Sequence, residues 1–186
     1  MFGLLLVAGL VAPFVAYPTF LMKLLCFALF ASAFNLLLGF AGLLSFGHAA
    51  FFGGAAYVCA WLVKEAGWSP ALGLVAGTVV GGALGAVFGW VAIRRAGIYF
   101  AMITLALAQL VFFLALQLPF TGGEDGLQGI PRGTLFGIDL GNNTAMYYFV
   151  FAVFFAAFWL IHRTVHSPYG QVLKAIRENE PRAISL

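Results

Sequence analysis

Charged side chains are scarce in this sequence. Only 8% of the 186 residues are Asp, Glu, Lys or Arg, and 63% are hydrophobic, whereas ordinary soluble domains carry about 25% charge. This balance excludes an ordinary soluble protein and predicts a polytopic membrane protein. The net charge of +3 comes from basic residues divided among several loops, without the aromatic and basic stripe of a nucleic-acid surface. We therefore predict no nucleic-acid partner.

Carboxylates are missing from the long apolar runs. Carriers driven by protons or sodium normally place carboxylates inside the membrane, so we expect energy to enter elsewhere. The same lack argues against an intramembrane hydrolase built on Ser45 and His48, because a catalytic base is normally oriented by a third group. The nucleophile pattern G-x-S-x-G also needs Gly at position 43, where Leu43 stands. We predict no catalytic residues and no enzymatic activity.

Cysteine is rare, and no internal repeat is evident. Cys26 and Cys59 both fall inside apolar runs, where free cysteines usually act as small buried hydrophobes. We therefore predict neither a disulfide nor a metal site.

Long apolar runs dominate what is present. A helix that crosses about 30 Å of hydrocarbon needs roughly 20 apolar residues. We predict an all-α polytopic transmembrane helical bundle over residues 1–161, followed by a cytoplasmic segment at 162–186. The predicted spans are residues 2–17, 19–38, 49–63, 71–93, 98–118 and 144–161, with an outer loop at 119–143.

The basic residues predict the orientation of these spans. Six alternating crossings place six basic residues on one side, namely Arg94, Arg95, Arg163, Lys174, Arg177 and Arg182, and leave Lys23, Lys64 and Arg132 on the other. Because cytoplasmic loops carry the excess of Lys and Arg, we predict that both ends of this chain are cytoplasmic. We also expect the N-terminus to be retained as a membrane anchor.

Residues 39–57 interrupt the apolar pattern with five glycines, together with Ser45 and His48. Interior glycines weaken a helix by roughly 1 kcal/mol each, and irregular backbone at membrane depth needs cover from protein or a water-filled cavity. The stretch therefore predicts a broken or closely packed helix beside a polar path. Candidate path residues are Asn35, Ser45, His48, Thr104 and Gln109. For Asn35, Thr104 and Gln109, a hydrogen bond between helices is an equally open interpretation, and for His48 the alternative is a ring bonded to a carbonyl of a neighbouring helix.

The span at 71–93 carries a glycine at every fourth position. These are Gly73, Gly77, Gly81, Gly85 and Gly89. Small residues at this spacing let two helix backbones approach closely in lipid. We predict tight helix packing along this stripe, and a direct substrate role is the minor alternative.

The outer loop and the tail differ in composition. Residues 121–131 are rich in glycine and acidic residues, which indicates a compact loop that serves either as a solvated linker or as a docking surface. In the tail, Ser167 and Pro168 are a favourable helix start. Val172, Leu173 and Ile176 then form an apolar face, while Gln171, Lys174, Arg177 and Glu178 point away from it and Lys174 can pair with Glu178. This pattern indicates a helix on the membrane surface or in a partner's groove, and we favour the second.

Several blocks together resemble a known family, the permease subunits of branched-chain amino acid ABC transporters of the LivM type. The blocks are NLLLGFAGLLSFGHAAFFG at 35–53, GIYFAMITLA at 97–106, TGGEDGLQGIP at 121–131 and YGQVLKAIRENE at 169–180. Ala55 stands where a glycine is common in the family. Members of the family continue with further membrane helices, so we expect this chain to be a fragment.

The resemblance implies a type II ABC importer permease in the bacterial inner membrane. Its partners would be a second homologous permease, two cytoplasmic ATPases and a periplasmic solute-binding protein. By position, Lys174, Arg177, Glu178 and Glu180 would couple to the ATPase, and Gly122, Gly123, Glu124 and Asp125 lie on the docking side of the binding protein. The family's permeases hold no cofactor, and the sequence has no P-loop pattern G-x-x-x-x-G-K.

Two other functions stay open at this point. One is transport of urea or short amides, which relatives in the same family carry. The other is a non-transporting assembly subunit that uses the glycine stripe of 71–93 as its interaction surface.

Overall fold

The computed structural model describes residues 2–95, 97–135 and 138–178. The chain divides into two compact units, residues 1–42 with 139–186, and residues 43–138. Helices account for nearly all of the regular structure. They are α1 (Phe2–Val15), α2 (Pro18–Asn35) with a π turn (Leu36–Phe40), α3 (His48–Lys64), α4 (Pro70–Ala92), α5 (Ile98–Gln117) with a 3-10 turn (Pro119–Thr121), α6 (Asn143–Val165) and α7 (Pro168–Glu178).

The predicted all-α transmembrane class is confirmed. Within the described residues, four helices are long and apolar enough to cross a membrane: α2 with its π turn, α4, α5 and α6. The other two predicted spans correspond to α1 and α3, which have 14 and 17 residues. Between α5 and α6, two short strands, β1 (Thr134–Leu135) and β2 (Ile138–Asp139), pair as a small ribbon that the sequence analysis did not predict.

In the first unit, α2 packs along α6, and α1 and α7 also contact α6. Pro13 lies inside α1 and has no N–H, so the carbonyl of Gly9 loses its usual donor four residues later. The hydroxyl of Tyr147 on α6 donates to this carbonyl at 2.7 Å, and Tyr147 is only 1% exposed. A buried tyrosine therefore satisfies the backbone group that the proline leaves unpaired.

In the second unit, α3 and α4 form the most extensive helix pair. A Cβ atom at Gly77 would lie 2.7 Å from the carbonyl oxygen of Ala55, and one at Gly73 would lie 2.7 Å from Cγ2 of Val63. Gly81 also faces α3, with its Cβ position 3.4 Å from Cβ of Ala55. At Gly73 and Gly77 the two backbones approach to a distance that a side chain would increase, whereas a Cβ atom at Gly81 would make an ordinary contact.

In the part of the chain that the structure describes, the last two glycines of the stripe, Gly85 and Gly89, do not contact α3. Among the described residues, no atom lies within 4 Å of a Cβ position at Gly85 or Gly89. Residues four apart advance by about 40° around a helix, because four steps of 100° exceed one full turn. The last two glycines have therefore rotated away from α3, and their predicted packing role stays a prediction.

The two cysteines are free. Cys59 packs on α4, with its sulfur 3.2 Å from a Cβ position at Gly73. Cys26 is exposed on α2, so the expectation that both are buried within the protein is wrong for Cys26. An apolar, exposed cysteine suits a helix face that meets lipid.

Candidate functional site

The α2 helix is broken where the sequence predicts a break. α2 continues through the π turn to Phe40, and regular helix resumes only at His48, the first residue of α3. Gly42 has φ of +71°, the left-handed conformation that commonly follows the end of a helix and that glycine adopts without strain. The predicted broken segment is confirmed.

The end of α2 is capped by the side chain of Arg177. The last carbonyls of any helix lack donors within the helix, and the Arg177 guanidinium donates a hydrogen bond to the carbonyl oxygen of Gly39. A Cβ atom at Gly42 would lie 2.8 Å from Cγ of Arg177. The arginine stem therefore occupies space that only glycine leaves open. We call Gly39, Phe40 and Gly42 the α2 end.

Lys174 contacts the same place. Its Nζ lies 5.3 Å from the ring centre of Phe40, within the range of a cation–π interaction. In the described part of the chain Lys174 is not paired with Glu178, so the expected pair is not formed. Two cations beside the carboxyl end of α2 also complement its helix dipole.

The α7 helix leaves its apolar face exposed. Val172 and Ile176, predicted to form an apolar face for a partner's groove or the membrane surface, are 53% and 40% exposed, and Tyr169 is 61% exposed. Lys174 and Arg177, predicted to point away from that face, contact the α2 end. Tyr169, Val172 and Ile176 follow the spacing of one helix face, and we call them the outer stripe. Glu178 is exposed, and Glu180 lies outside the described residues.

In the second unit, Ser45 on the chain that leads into α3 and Thr104 on α5 bond to neighbouring backbone groups. Thr104 Oγ1 accepts a hydrogen bond from the N–H of Phe46 at 3.2 Å and donates to the carbonyl of Ala101 at 3.0 Å. Ser45 Oγ accepts from the N–H of Gly47 at 3.1 Å. Both side chains are buried. They satisfy backbone groups that the helix break exposes. The Thr104 bond joins α5 to the broken segment, whereas the Ser45 bond is local, and a role for either residue in a polar path stays a prediction.

The other candidate path residues have different surroundings. His48 begins α3, and its ring meets that of Phe51 edge to face, with centres 5.7 Å apart. Gln109 is exposed on α5. Asn35 belongs to the first unit and is exposed; its Oδ1 lies 2.6 Å from a Cβ position at Gly39. Within the second unit, Ser45 and Thr104 thus bond to neighbouring backbone groups, whereas Gln109 is exposed.

The loop after α5 is a tight turn. The Thr121 hydroxyl is buried and donates to the carbonyl of Leu118 at 2.6 Å. Gly122 has φ of +80°, and a Cβ there would lie 2.5 Å from the carbonyl oxygen of Gly126. Gly123 also has a positive φ, of +60°. The turn presents Glu124 and Asp125 as exposed side chains, so this part of the loop has a fixed backbone and a free acidic surface.

Comparison with known proteins supports the resemblance drawn from the motifs. The family described as "Branched-chain amino acid transport system / permease component" matches residues 5–185. The chain belongs to this permease family. Since the match includes α7 and the broken segment, both are part of the family's region of similarity.

Two curated relatives are similar to the chain. Both are named "High-affinity branched-chain amino acid transport system permease protein LivM", one from Salmonella typhimurium and one from Escherichia coli. Each is 28% identical over an alignment of 181 residues, and the match covers 82% of this chain and 41% of the relative. The chain thus spans about two fifths of the length of these relatives. No solved structure matches it.

Membership of the permease family establishes a multi-pass membrane protein of transport type. It assigns no role to individual residues. The polar path, the binding-protein surface and the ATPase-coupling residues therefore stay predictions, to which the structure adds the exposed outer stripe and the capped α2 end. Neither feature follows from hydropathy, because both depend on which way α7 turns after α6.

Proposed function

We propose that this chain acts in the permease subunit of an ATP-driven importer for branched-chain amino acids in the bacterial inner membrane. The observation that carries the proposal is the family match over residues 5–185, which reaches into α7. The curated relatives are named for branched-chain amino acid transport. The energy source would be a partner, because the sequence contains no P-loop pattern.

The outer stripe supports a cytoplasmic ATPase as that partner. α7 starts three residues after α6 ends, so it lies close to a membrane face. Its exposed apolar side chains follow one face of a short helix, which is the pattern of a helix that inserts into a groove of another protein. On this proposal the ATPase grips Tyr169, Val172 and Ile176, and a second permease and a periplasmic binding protein complete the importer.

The test is transport by the complete assembly. The full-length permease is co-expressed with the ATPase, second permease and binding-protein frames of its gene neighbourhood, and uptake of radiolabelled leucine, isoleucine and valine is measured. Val172→Asp places a charge in the proposed groove, so we expect the ATPase to be lost on purification and uptake to fall at least about tenfold. Gln171→Ala, on the same helix, is the matched control and should leave both unchanged.

Other results would redirect or end the proposal. Uptake of urea or acetamide in place of the three amino acids would replace the substrate class and keep the transporter. A stable complex that moves none of these solutes would favour the assembly subunit instead. If the ATPase co-purifies fully with the Val172→Asp protein, the outer stripe is not the ATPase contact.

A further inference from the structure

We propose that Arg177 is a positioning residue that holds the α2 end from within the same chain, rather than a contact residue for the ATPase. The role of α7 in coupling rests on the proposed function, but the contact between α7 and the α2 end does not. That contact consists of a hydrogen bond, a packed arginine stem and a cation–π pair.

The α2 end needs a donor, and Arg177 supplies one. The π turn stops at Phe40 and Gly42 turns the chain into the left-handed region, so the carbonyl of Gly39 has no following helical turn to receive a hydrogen bond from. The Arg177 guanidinium donates to it. A bond from a charged donor is stronger than one between neutral groups, and its position at a helix carboxyl end is electrostatically favourable.

The contact is also specific in shape. The arginine stem covers Gly42, and a side chain there would place its Cβ only 2.8 Å from Cγ of Arg177. Lys174 stands one turn earlier on α7 and lies over Phe40. Residues three apart share a helix face, so α7 holds the α2 end with one basic face. The outer stripe belongs to different positions and stays exposed.

Because the basic residues and the outer stripe lie on different faces of α7, a partner can bind one face while the other contacts the α2 end. A partner that covers the outer stripe therefore moves α7 without displacing Arg177 from Gly39. Motion of α7 then reaches the end of α2 through the guanidinium, directly before the chain unwinds. Loss of Arg177 should therefore leave the partner bound but disconnect its motion from the membrane helix.

The experiment compares Arg177→Gln, Arg177→Lys and the wild type in the full-length protein. Hydrogen exchange is followed in peptides that cover residues 36–47, with the permease alone in nanodiscs. We expect exchange of these amides to speed up roughly fivefold in Arg177→Gln, as for loss of one hydrogen bond. Arg177→Lys, which keeps a charged donor, should recover part of the protection. Arg163→Gln is the matched control, because the Arg163 guanidinium lies over Trp159 on its own helix, α6.

The second readout separates positioning from ATPase binding. In the complete importer we expect the Arg177→Gln protein to retain the ATPase subunits and to hydrolyse ATP, with amino acid moved per ATP reduced at least threefold. Loss of the ATPase subunits from this variant would place Arg177 in the partner interface and overturn the proposal. Unchanged exchange at 36–47 would overturn it as well. If the wild type transports nothing, the proposed function fails, and the exchange result alone decides the hold on α2.

Discussion

At the scale of single residues, the polar groups of the apolar helices are engaged mainly with backbone. Thr104 and Ser45 accept hydrogen bonds from the N–H groups of Phe46 and Gly47, and Tyr147 donates to the carbonyl of Gly9. In hydrocarbon an unpaired backbone group costs several kcal/mol. These side chains therefore make an interrupted or proline-containing helix tolerable. If a solute also bonded to Ser45 or Thr104, it would compete with the backbone N–H groups that these hydroxyl oxygens already accept from.

Replacing Thr104 by valine tests that role. The change keeps the branched shape but removes the hydroxyl that accepts from the Phe46 N–H, at a side chain that is 2% exposed. We expect a loss of about 1–3 kcal/mol in stability, measured by thermal or denaturant unfolding in detergent, and Thr104→Ser should restore most of it. Thr78→Val is the control, because the exposed Thr78 hydroxyl only donates to Leu74 on its own helix. Equal effects at both positions would contradict the role of Thr104.

Sequence patterns reach these pairs only in part. Pro13 inside an apolar helix signals an unpaired carbonyl at Gly9, so the need for a donor can be read in advance. The donor itself, Tyr147, is 138 residues away, and no local pattern selects it. The same holds for Thr104 and Phe46, which are 58 residues apart. Local rules identify unsatisfied groups, whereas tertiary packing chooses their partners.

At the scale of helices, the glycine stripe of α4 has two parts with opposite expectations. Gly77 faces the Ala55 carbonyl, and Gly85 faces open space. Gly77→Ala should separate α3 from α4 and destabilise the protein by about 1–3 kcal/mol, as overpacking does. Gly85→Ala should be neutral or stabilise by up to about 1 kcal/mol through helix propensity. Unfolding midpoints of the two variants give the comparison.

This pair of variants also bears on the assembly alternative. A large side chain at Gly81 would meet Ala55 of α3, so it would disturb the fold of the chain itself and could not report on a partner. Gly85→Leu is the better test of an interaction surface. If Gly85→Leu loses a complex while its unfolding midpoint is unchanged, the result favours the assembly-subunit alternative. If Gly77→Ala and Gly85→Ala have the same effect on stability, the result contradicts the packing described for the stripe.

Sequence patterns predict the helices well, but they do not predict what the basic face of α7 contacts. Apolar length predicts a helix wherever lipid must be crossed, and the bounds of α4 and α5 lie within one residue of the predicted ranges. For α7, the amphipathic pattern predicts an apolar face directed at a membrane surface or a partner, and Val172 and Ile176 are exposed, as that interpretation requires. Arg177 and Gly39 are 138 residues apart in the sequence, so no local pattern pairs them.

At the scale of the whole chain, the contact between α7 and the α2 end constrains how many helices cross the membrane. α7 has 11 residues and is roughly 16 Å long, about half of the 30 Å hydrocarbon core. It cannot start at one face, directly after α6, and reach a helix end at the other. Hence α2 and α6 end at the same membrane face, and α6 begins at the opposite one.

An odd number of crossings must therefore lie between α2 and α6. α4 and α5 are long enough to supply two, so α3 has to supply the third. Its 17 residues stand at the lower limit for a spanning helix, which is why length and composition alone leave it out. The contact thus favours an arrangement in which α3 crosses the membrane, as predicted, over one in which it does not.

Cysteine labelling decides between these two arrangements. In a full-length protein with Cys26 and Cys59 replaced by alanine, single cysteines are introduced at Leu44, before α3, and at Ala66, after it. If α3 crosses, a membrane-impermeant reagent applied outside intact cells should label position 66 but not 44. Glu124→Cys and Glu178→Cys serve as outer and inner references, since the excess of basic residues predicts the side that carries α7 to be cytoplasmic. Labelling of 44 and 66 from the same side would show that α3 does not cross. The conclusion that α2 and α6 end at the same membrane face would then be wrong. The hydrogen bond from Arg177 to Gly39, on which that conclusion depends, would be contradicted as well.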